Sequence, residues 1–195
     1  MSFGNRAVIR CVRADDATAI AEIYAPYVAE TPISLELAPP TSEQMAERIA
    51  WLSSAYPWLV YEMEGAVKGY AYAGPHSERG GYRWSANVSV YVTRGCHRQG
   101  IGRALYARLL SILRTQGFHA VFGGITLPNA ASVRLHESCG FGPVGVYREA
   151  GFKLGAWWDV GWWGKVLDRP AGEPIPPRLF SAELLEMSDS DAATG

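Results

Sequence analysis

The sequence predicts an α+β fold, with helices packed against a mixed sheet, and three observations lead there. Segments of period-two and period-3.6 apolar spacing follow one another in the order β-α-α-β-β-β-α-β-α-β-β, which is not the repeated unit of a doubly wound sheet. WLVYEME (58–64) and VKGYAYAG (67–74) read as two strands joined through Gly65, an antiparallel hairpin. At 195 residues and 48% hydrophobic content, the chain supplies one sizeable core, so one domain with a tail is expected.

The elements follow in order. AVIRCVR (7–13) has the β-branched content of an opening strand. Asp15 and Asp16 then start a helix whose apolar positions are Ala19, Ile20, Ile23, Tyr24 and Tyr27, with Pro26 expected to kink or shorten it. TPISLELAPP is a Pro-rich loop, and Thr41, Ser42 and Glu43 cap a second helix with Met45, Ile49 and Leu52 on its apolar face. The hairpin comes next, and WSANVSVYV (84–92) extends the sheet after the Gly80-Gly81 loop. A glycine turn opens a helix ending before Gly117. HAVFGGIT (119–126) is a strand, Asn129 to about Ser138 a helix, and the last two strands fall within 141–153 and 157–166. From Asp168 periodicity is lost, so the division is a folded domain over 1–167 and an extended or disordered tail over 168–195.

Charge and cysteine content narrow the function classes. Lys plus Arg is 18 against Asp plus Glu 19, so the net charge of -1 gives no global reason to expect nucleic acid or an anionic membrane, and any anion site must be local. MSFGNRAVIR lacks an apolar signal core and no stretch approaches 18 uninterrupted apolar residues, which makes a cytoplasmic location the expectation. Cys11, Cys96 and Cys139 are odd in number, widely spaced and not in metal-like pairs; reduced thiols and no metal site are expected.

The local anion site is HRQGIGRA (97–104). A glycine turn feeding a helix start presents unpaired amides and the positive end of the helix dipole, which suits a phosphate group. A P-loop is excluded because no Gly-Lys-Ser/Thr ends the turn. A Rossmann turn is excluded because the third residue after Gly102 is Leu105.

Taken further, VYVTRGCHRQGIGRALYARLL followed by LPNAASVRLHESCGF resembles the two central motifs of the GCN5-related N-acetyltransferases (GNAT). GFKLGAWWDVGWW, YPWLVYEMEG, YAYAGP and PNAASVRLHE are similar to the phosphinothricin and methionine sulfoximine N-acetyltransferase branch, from about Ile9 to Leu167. The resemblance implies the GNAT fold, a mixed, mostly antiparallel sheet splayed at its centre and flanked by helices. It also implies an enzyme that moves acetyl from acetyl-CoA to the amine of a small amino acid or analogue, by direct transfer in a ternary complex and in a homodimer. It assigns the pyrophosphate to the amides of Arg98, Gln99, Gly100, Ile101, Gly102 and Arg103, and the pantetheine to Val90, Tyr91 and Val92 and to Asn129 and Ser132. His97 stands where the family usually has Gln or Arg.

His136 matches the position of a proton donor or relay in the family, and imidazole suits that role near neutral pH. Asn87 stands where the family usually has Glu as general base. Asn can order water but accepts no proton, and a missing base costs about 10²- to 10⁴-fold in rate. Three replacements are expected in this order: His136 acting through water held by Asn87, Glu36 of the Pro-rich loop, or an amine of low pKa. Tyr82, Arg83 and Lys153 are candidates to meet a substrate's acidic oxygens. Trp157, Trp158, Trp162 and Trp163 suit an apolar wall or a subunit interface. The alternatives are an acyl-CoA-binding module with weakened catalysis, favoured by Asn87, and acetylation of another amine such as a peptide N-terminus or a polyamine.

Overall fold

The computed structural model describes residues 7–181 and Leu184. Its strands are β1 (Val8–Cys11), β2 (Trp58–Met63), β3 (Ala66–Pro75), β4 (Ser85–Val92), β5 (Ala120–Leu127), β6 (Gly142–Lys153) and β7 (Ala156–Val166). Its helices are α1 (Ala17–Glu30), α2 (Ser42–Ser53), α3 (Ile101–Gln116) and α4 (Ala130–Ser138).

Local chemistry accounts for most of the boundaries. Thr41 caps α2 through a reciprocal pair: its Oγ1 accepts the Gln44 amide at 3.2 Å, and Gln44 Oε1 accepts the Thr41 amide at 2.9 Å. Gly117, at φ +96°, closes α3 in the left-handed conformation, and Phe118 N–H returns to Leu113 O. Pro26 behaves differently from expectation, since α1 continues through it to Glu30. Tertiary contacts beyond the proline hold that last turn: Val28 is fully buried, and Tyr27 donates to the Val92 carbonyl at 2.6 Å.

The seven strands lie in the order β1-β2-β3-β4-β5-β7-β6, antiparallel except where β4 meets β5. That parallel contact is confined to Ser85 against Ala120, Ala86 against Val121 and Asn87 against Phe122. Beyond Asn87 the two eight-residue strands part, so the sheet opens into a V.

Each face has its own core. On one, α3 lays Leu105, Tyr106, Leu109 and Leu113 against Ala86, Val88 and Val121. On the other, Ile20, Val28, Met45 and Ile49 of α1 and α2 cover Trp58, Val60 and Tyr70. At about 1.5–3 kcal/mol for each fully buried large side chain, these two layers hold the V rigid. The expected tail carries no helix or strand from 168 to 181, yet it is fastened: Trp84 Nε1 donates to Ile175 O at 2.7 Å and Arg178 exchanges hydrogen bonds with Gln116. The rest of that expectation, residues 182–195 apart from Leu184, lies outside the described residues, as do residues 1–6 of the N-terminal segment.

Candidate active site

The turn before α3 is built from left-handed residues: Gly95 at φ +88°, Arg98 at +62° and Gly100 at +82°. Gly100 caps α3 without a side chain, and its carbonyl accepts the Ala104 amide at 2.9 Å. The amides of Ile101, Gly102 and Arg103 therefore point out of the helix start, the geometry that receives an anion. A side chain on Gly102 would press Leu135 of α4 at 3.1 Å, so its absence lets the two helices close around the turn. A cleft of about 680 Å³ runs from this turn along β4 to α4. Arg98, Arg103 and Arg134 line it with positive charge.

The β4 edge inside the V comes from strand alternation. Thr93 N–H donates to Lys68 O at 2.9 Å, so residues 93, 91 and 89 turn their main chain toward β3, and Val88, Val90 and Val92 turn theirs into the gap. The Val92 carbonyl is already taken by the Tyr27 hydroxyl at 2.6 Å and by His97 Nε2 at 3.2 Å. Val90 remains as the residue facing the gap with both its N–H and its C=O. Tyr91, expected to help hold the pantetheine, gives the gap no free hydrogen-bonding group: its N–H and C=O face β3, and its ring packs on Tyr24, Tyr27 and Tyr70 on the far face. At the other wall Asn129 caps α4, its Oδ1 accepting the Ser132 amide at 3.1 Å.

A smaller cavity of about 50 Å³ lies where the strands part, among Val88, Ser89, Tyr106, Gly124 and His136. His136 is buried, with Nδ1 at 2.8 Å from the Ser132 carbonyl and Nε2 at 3.0 Å from the Tyr106 hydroxyl. A carbonyl only accepts, so Nδ1 carries the proton and Nε2 accepts from Tyr106. Burial lowers the His136 pKa despite the Ser132 bond, which keeps the ring neutral. The one basic nitrogen of His136, which the sequence offered as a base, meets the Tyr106 hydroxyl, because α4 aims the ring inward at α3 and Phe141. Tyr106, fully buried and with its pKa raised by burial, is the residue the sequence reading missed.

Glu36 is likewise engaged. Arg48 grips it with two hydrogen bonds of 2.8 and 2.9 Å, and Tyr24 donates to it at 2.9 Å. Burial raises its pKa, but the bonds from Arg48 and Tyr24 and the Arg48 charge outweigh that, and the carboxyl ends below its ordinary value. That makes it a poor base. Lys153 is buried rather than available, its Nζ donating to the Ser34 carbonyl at 2.6 Å, with burial lowering its pKa. Arg83 is exposed, bonds Gly80 O at 3.1 Å and stacks its guanidinium 5.4 Å from the Trp84 ring. Tyr82 is also exposed, beside His76 at 5.3 Å.

Asn87 sits at the vertex of the V on the face of Ser89 and Tyr91, opposite α3. Its Oδ1 lies 2.9 Å from His76 Nδ1. The sequence reading passed over His76 because no motif marked it; its side chain reaches Asn87 only once β3 and β4 pair in register, Gly74 opposite Asn87. Trp162 and Phe122 pack around the same ring, and Trp162 keeps a buried indole N–H without a hydrogen-bond partner.

Comparison with known proteins identifies the family and the fold. The acetyltransferase (GNAT) domain family matches residues 9–162. A phosphinothricin N-acetyltransferase of Streptomyces viridochromogenes is 41% identical over 170 residues, 87% of this chain and 91% of the relative. An L-methionine sulfoximine/L-methionine sulfone acetyltransferase of Salmonella typhimurium is 35% identical over 167 residues, 84% of this chain and 96% of the relative. Among solved structures, a phosphinothricin acetyltransferase of Sinorhizobium meliloti in complex with AcCoA superposes with a TM-score of 0.82 at 31% identity, covering 90% of this chain and 99% of that one.

Proposed function

From the premise that this chain belongs to the GNAT acetyltransferase family, we propose that it acetylates the amino group of a small amino acid or analogue, of the phosphinothricin or methionine sulfoximine kind, using acetyl-CoA. The observation that carries the reading is the left-handed turn at Arg98 and Gly100 opening α3 at one end of a cleft whose other wall is the freed Val90 edge. The residues present fit such a cosubstrate. Outward amides of Ile101, Gly102 and Arg103 meet a pyrophosphate, with Arg98 and Arg103 beside it. Val90 pairs with an extended amide arm as a strand neighbour would, and Asn129 and Ser132 flank that arm. A thioester carbonyl brought to the Val90 N–H is polarised there by that hydrogen bond.

Tyr106 lines the small cavity where the strands part; to protonate the departing thiolate its hydroxyl turns its one O–H from His136 Nε2 toward the sulfur, and the proton shed by the substrate nitrogen replaces it. The acceptor enters from the opposite face, where Asn87, His76, Tyr82 and Trp162 gather. No helix among the described residues is long and apolar enough to cross a membrane. A cytoplasmic homodimer completes the reading. The β6–β7 hairpin supports the dimer, since Val144, Tyr147, Phe152, Leu154 and Trp157 are each more than half exposed on it.

The test is thiol release from acetyl-CoA with a panel of phosphinothricin, methionine sulfoximine, simple amino acids and polyamines, beside calorimetric titration with coenzyme A. Release with the glutamate analogues is expected. Tight coenzyme A binding with no release from any amine would point to a binding module instead, the reading that Asn87 by itself favours.

A further inference from the structure

We infer that His76 is the general base of the acetyl transfer, held in its working tautomer by Asn87; the inference rests on the acetyl-transfer reading above. The assignment starts at Pro75. Its carbonyl can only accept, and Asn87 Nδ2 reaches it at 3.4 Å, so the amide of Asn87 is turned with Oδ1 toward His76. Oδ1 can only accept as well. His76 Nδ1, 2.9 Å away, must therefore carry the proton, which leaves the lone pair on Nε2. Nε2 makes no hydrogen bond with the described residues, and the ring is half-buried, open enough to meet a substrate.

Position agrees with chemistry. Asn87 is the last residue of β4 paired with β5, and its side chain faces away from α3. His76 stands over Phe122 at 4.6 Å and edge-on to Trp162 at 6.1 Å, on that same face. Asn87 is three residues before Val90 on the same strand, at the point where β4 leaves β5, which puts His76 on the sheet face opposite α3. The unpartnered indole N–H of Trp162 adds a buried donor suited to an acidic oxygen of the same substrate. The other two bases the sequence offered are occupied, His136 by Tyr106 and Glu36 by Arg48. Of the side chains in contact with the His76 ring, Tyr82 is the titratable one; Asn87, Phe122 and Trp162 are not, and Glu78 and Arg79 of its own loop are exposed.

The step balances as follows. One proton passes from the substrate ammonium to His76 Nε2, directly or through water, and then to solvent. The nitrogen lone pair forms the C–N bond to the thioester carbon, the C–S bond breaks with its electron pair on sulfur, and a second proton from nitrogen ends on the thiolate. The products are an amide, a thiol and one proton in solution. Asn87 is the positioning residue, acting through His76.

The experiment is a pH profile of kcat/KM with acetyl-CoA and phosphinothricin for wild type, His76→Gln, His76→Ala, Asn87→Ala and the double variant His76→Ala/Asn87→Glu, with coenzyme A affinity and thermal melting of each. His76→Gln keeps a donor toward Asn87 and safeguards against misfolding of the alanine variant. Removing the base lowers kcat/KM by about 10²- to 10⁴-fold at neutral pH and abolishes its acid limb, while coenzyme A affinity stays within about twofold. In the double variant the carboxylate restores activity, with the acid limb moved to lower pH because a carboxylate titrates below an imidazole. Asn87→Ala falls between wild type and His76→Ala. A His76→Gln enzyme within threefold of wild type and with an unmoved acid limb overturns the inference and leaves the acetyl-transfer reading intact. A wild type that binds coenzyme A but acetylates no amine overturns both.

Discussion

Replacing Gly100 with Ala separates the shape of the anion turn from its chemistry, because the amides remain and only the backbone torsion is penalised. Gly100 has φ +82°, and a Cβ built on it meets nothing within 4 Å, so the cost is torsional: about 1–2 kcal/mol for an L-residue in the left-handed region. Where that energy appears depends on the turn. If the free protein relaxes it, the strain returns on binding, and the Kd for coenzyme A rises about 5- to 30-fold. If α3 and the Thr93–Cys96 bond hold the turn in shape, affinity is kept and the strain appears in stability, lowering Tm by about 2–8 °C for a chain of this size. The two effects share one sum. Calorimetric titration with coenzyme A and thermal melts of the same preparation measure both, with Gly142→Ala, at an ordinary φ and in open space, as the control. If affinity and Tm together move by less than about 0.5 kcal/mol, well below the expected torsional cost, the left-handed cradle is not what the protein needs there.

Three further outcomes are expected. Gly123→Ala drives a methyl into the His136 imidazole, whose Cδ2 would lie 2.8 Å away and which Tyr106 and Phe141 prevent from retreating; overpacking of about 1–3 kcal/mol should lower Tm by about 2–12 °C. Asp16 is buried; burial raises its carboxyl pKa, but hydrogen bonds from Arg10 and the Arg13 amide bring it below the ordinary value. Its contribution is therefore complete above the unfolded carboxylate pKa of about 3.9 and is lost as pH falls through the lower folded value. Urea midpoints against pH should show that acid loss in wild type and a flatter curve in Asp16→Asn, which is about 1.5–3 kcal/mol less stable at neutral pH. Removing residues 168–195 takes away the carbonyls that Trp84 and buried Gln116 bond; a urea midpoint corresponding to about 1–3 kcal/mol lost is expected, and an unchanged midpoint refutes a structural role for the segment.

The elements and the anion turn were legible because their signals are local: Thr41 and Gly117 mark helix ends by backbone need, and the Gly100 turn announces a helix start. The catalytic arrangement was less so. Asn87 stood out only as a departure from a pattern, and nothing in AGPHSERGG identifies His76 until Gly74 and Asn87 are opposite each other in the β3–β4 ladder. His136 was conspicuous, but which way α4 turns its ring, and so which group its Nε2 meets, is a packing outcome. Pro26 misled for a related reason, since the contacts of Tyr27 and Val28 outweigh one missing hydrogen bond. Lys153 stood as a candidate for a substrate's acidic oxygens because its partner, the Ser34 carbonyl, is 119 positions away along the chain.

The parting of β4 from β5 after three residue pairs also has a kinetic side. The sheet is a partition with a slot in it, the helix-turn cleft on one side and the face that carries Asn87 and His76 on the other. Two reactants can reach the slot from separate mouths, and neither blocks the other's exit, so the fold imposes no obligatory sequence of arrival or departure. Initial-rate patterns with both concentrations varied should then intersect, and each product should inhibit competitively against the reactant that shares its doorway.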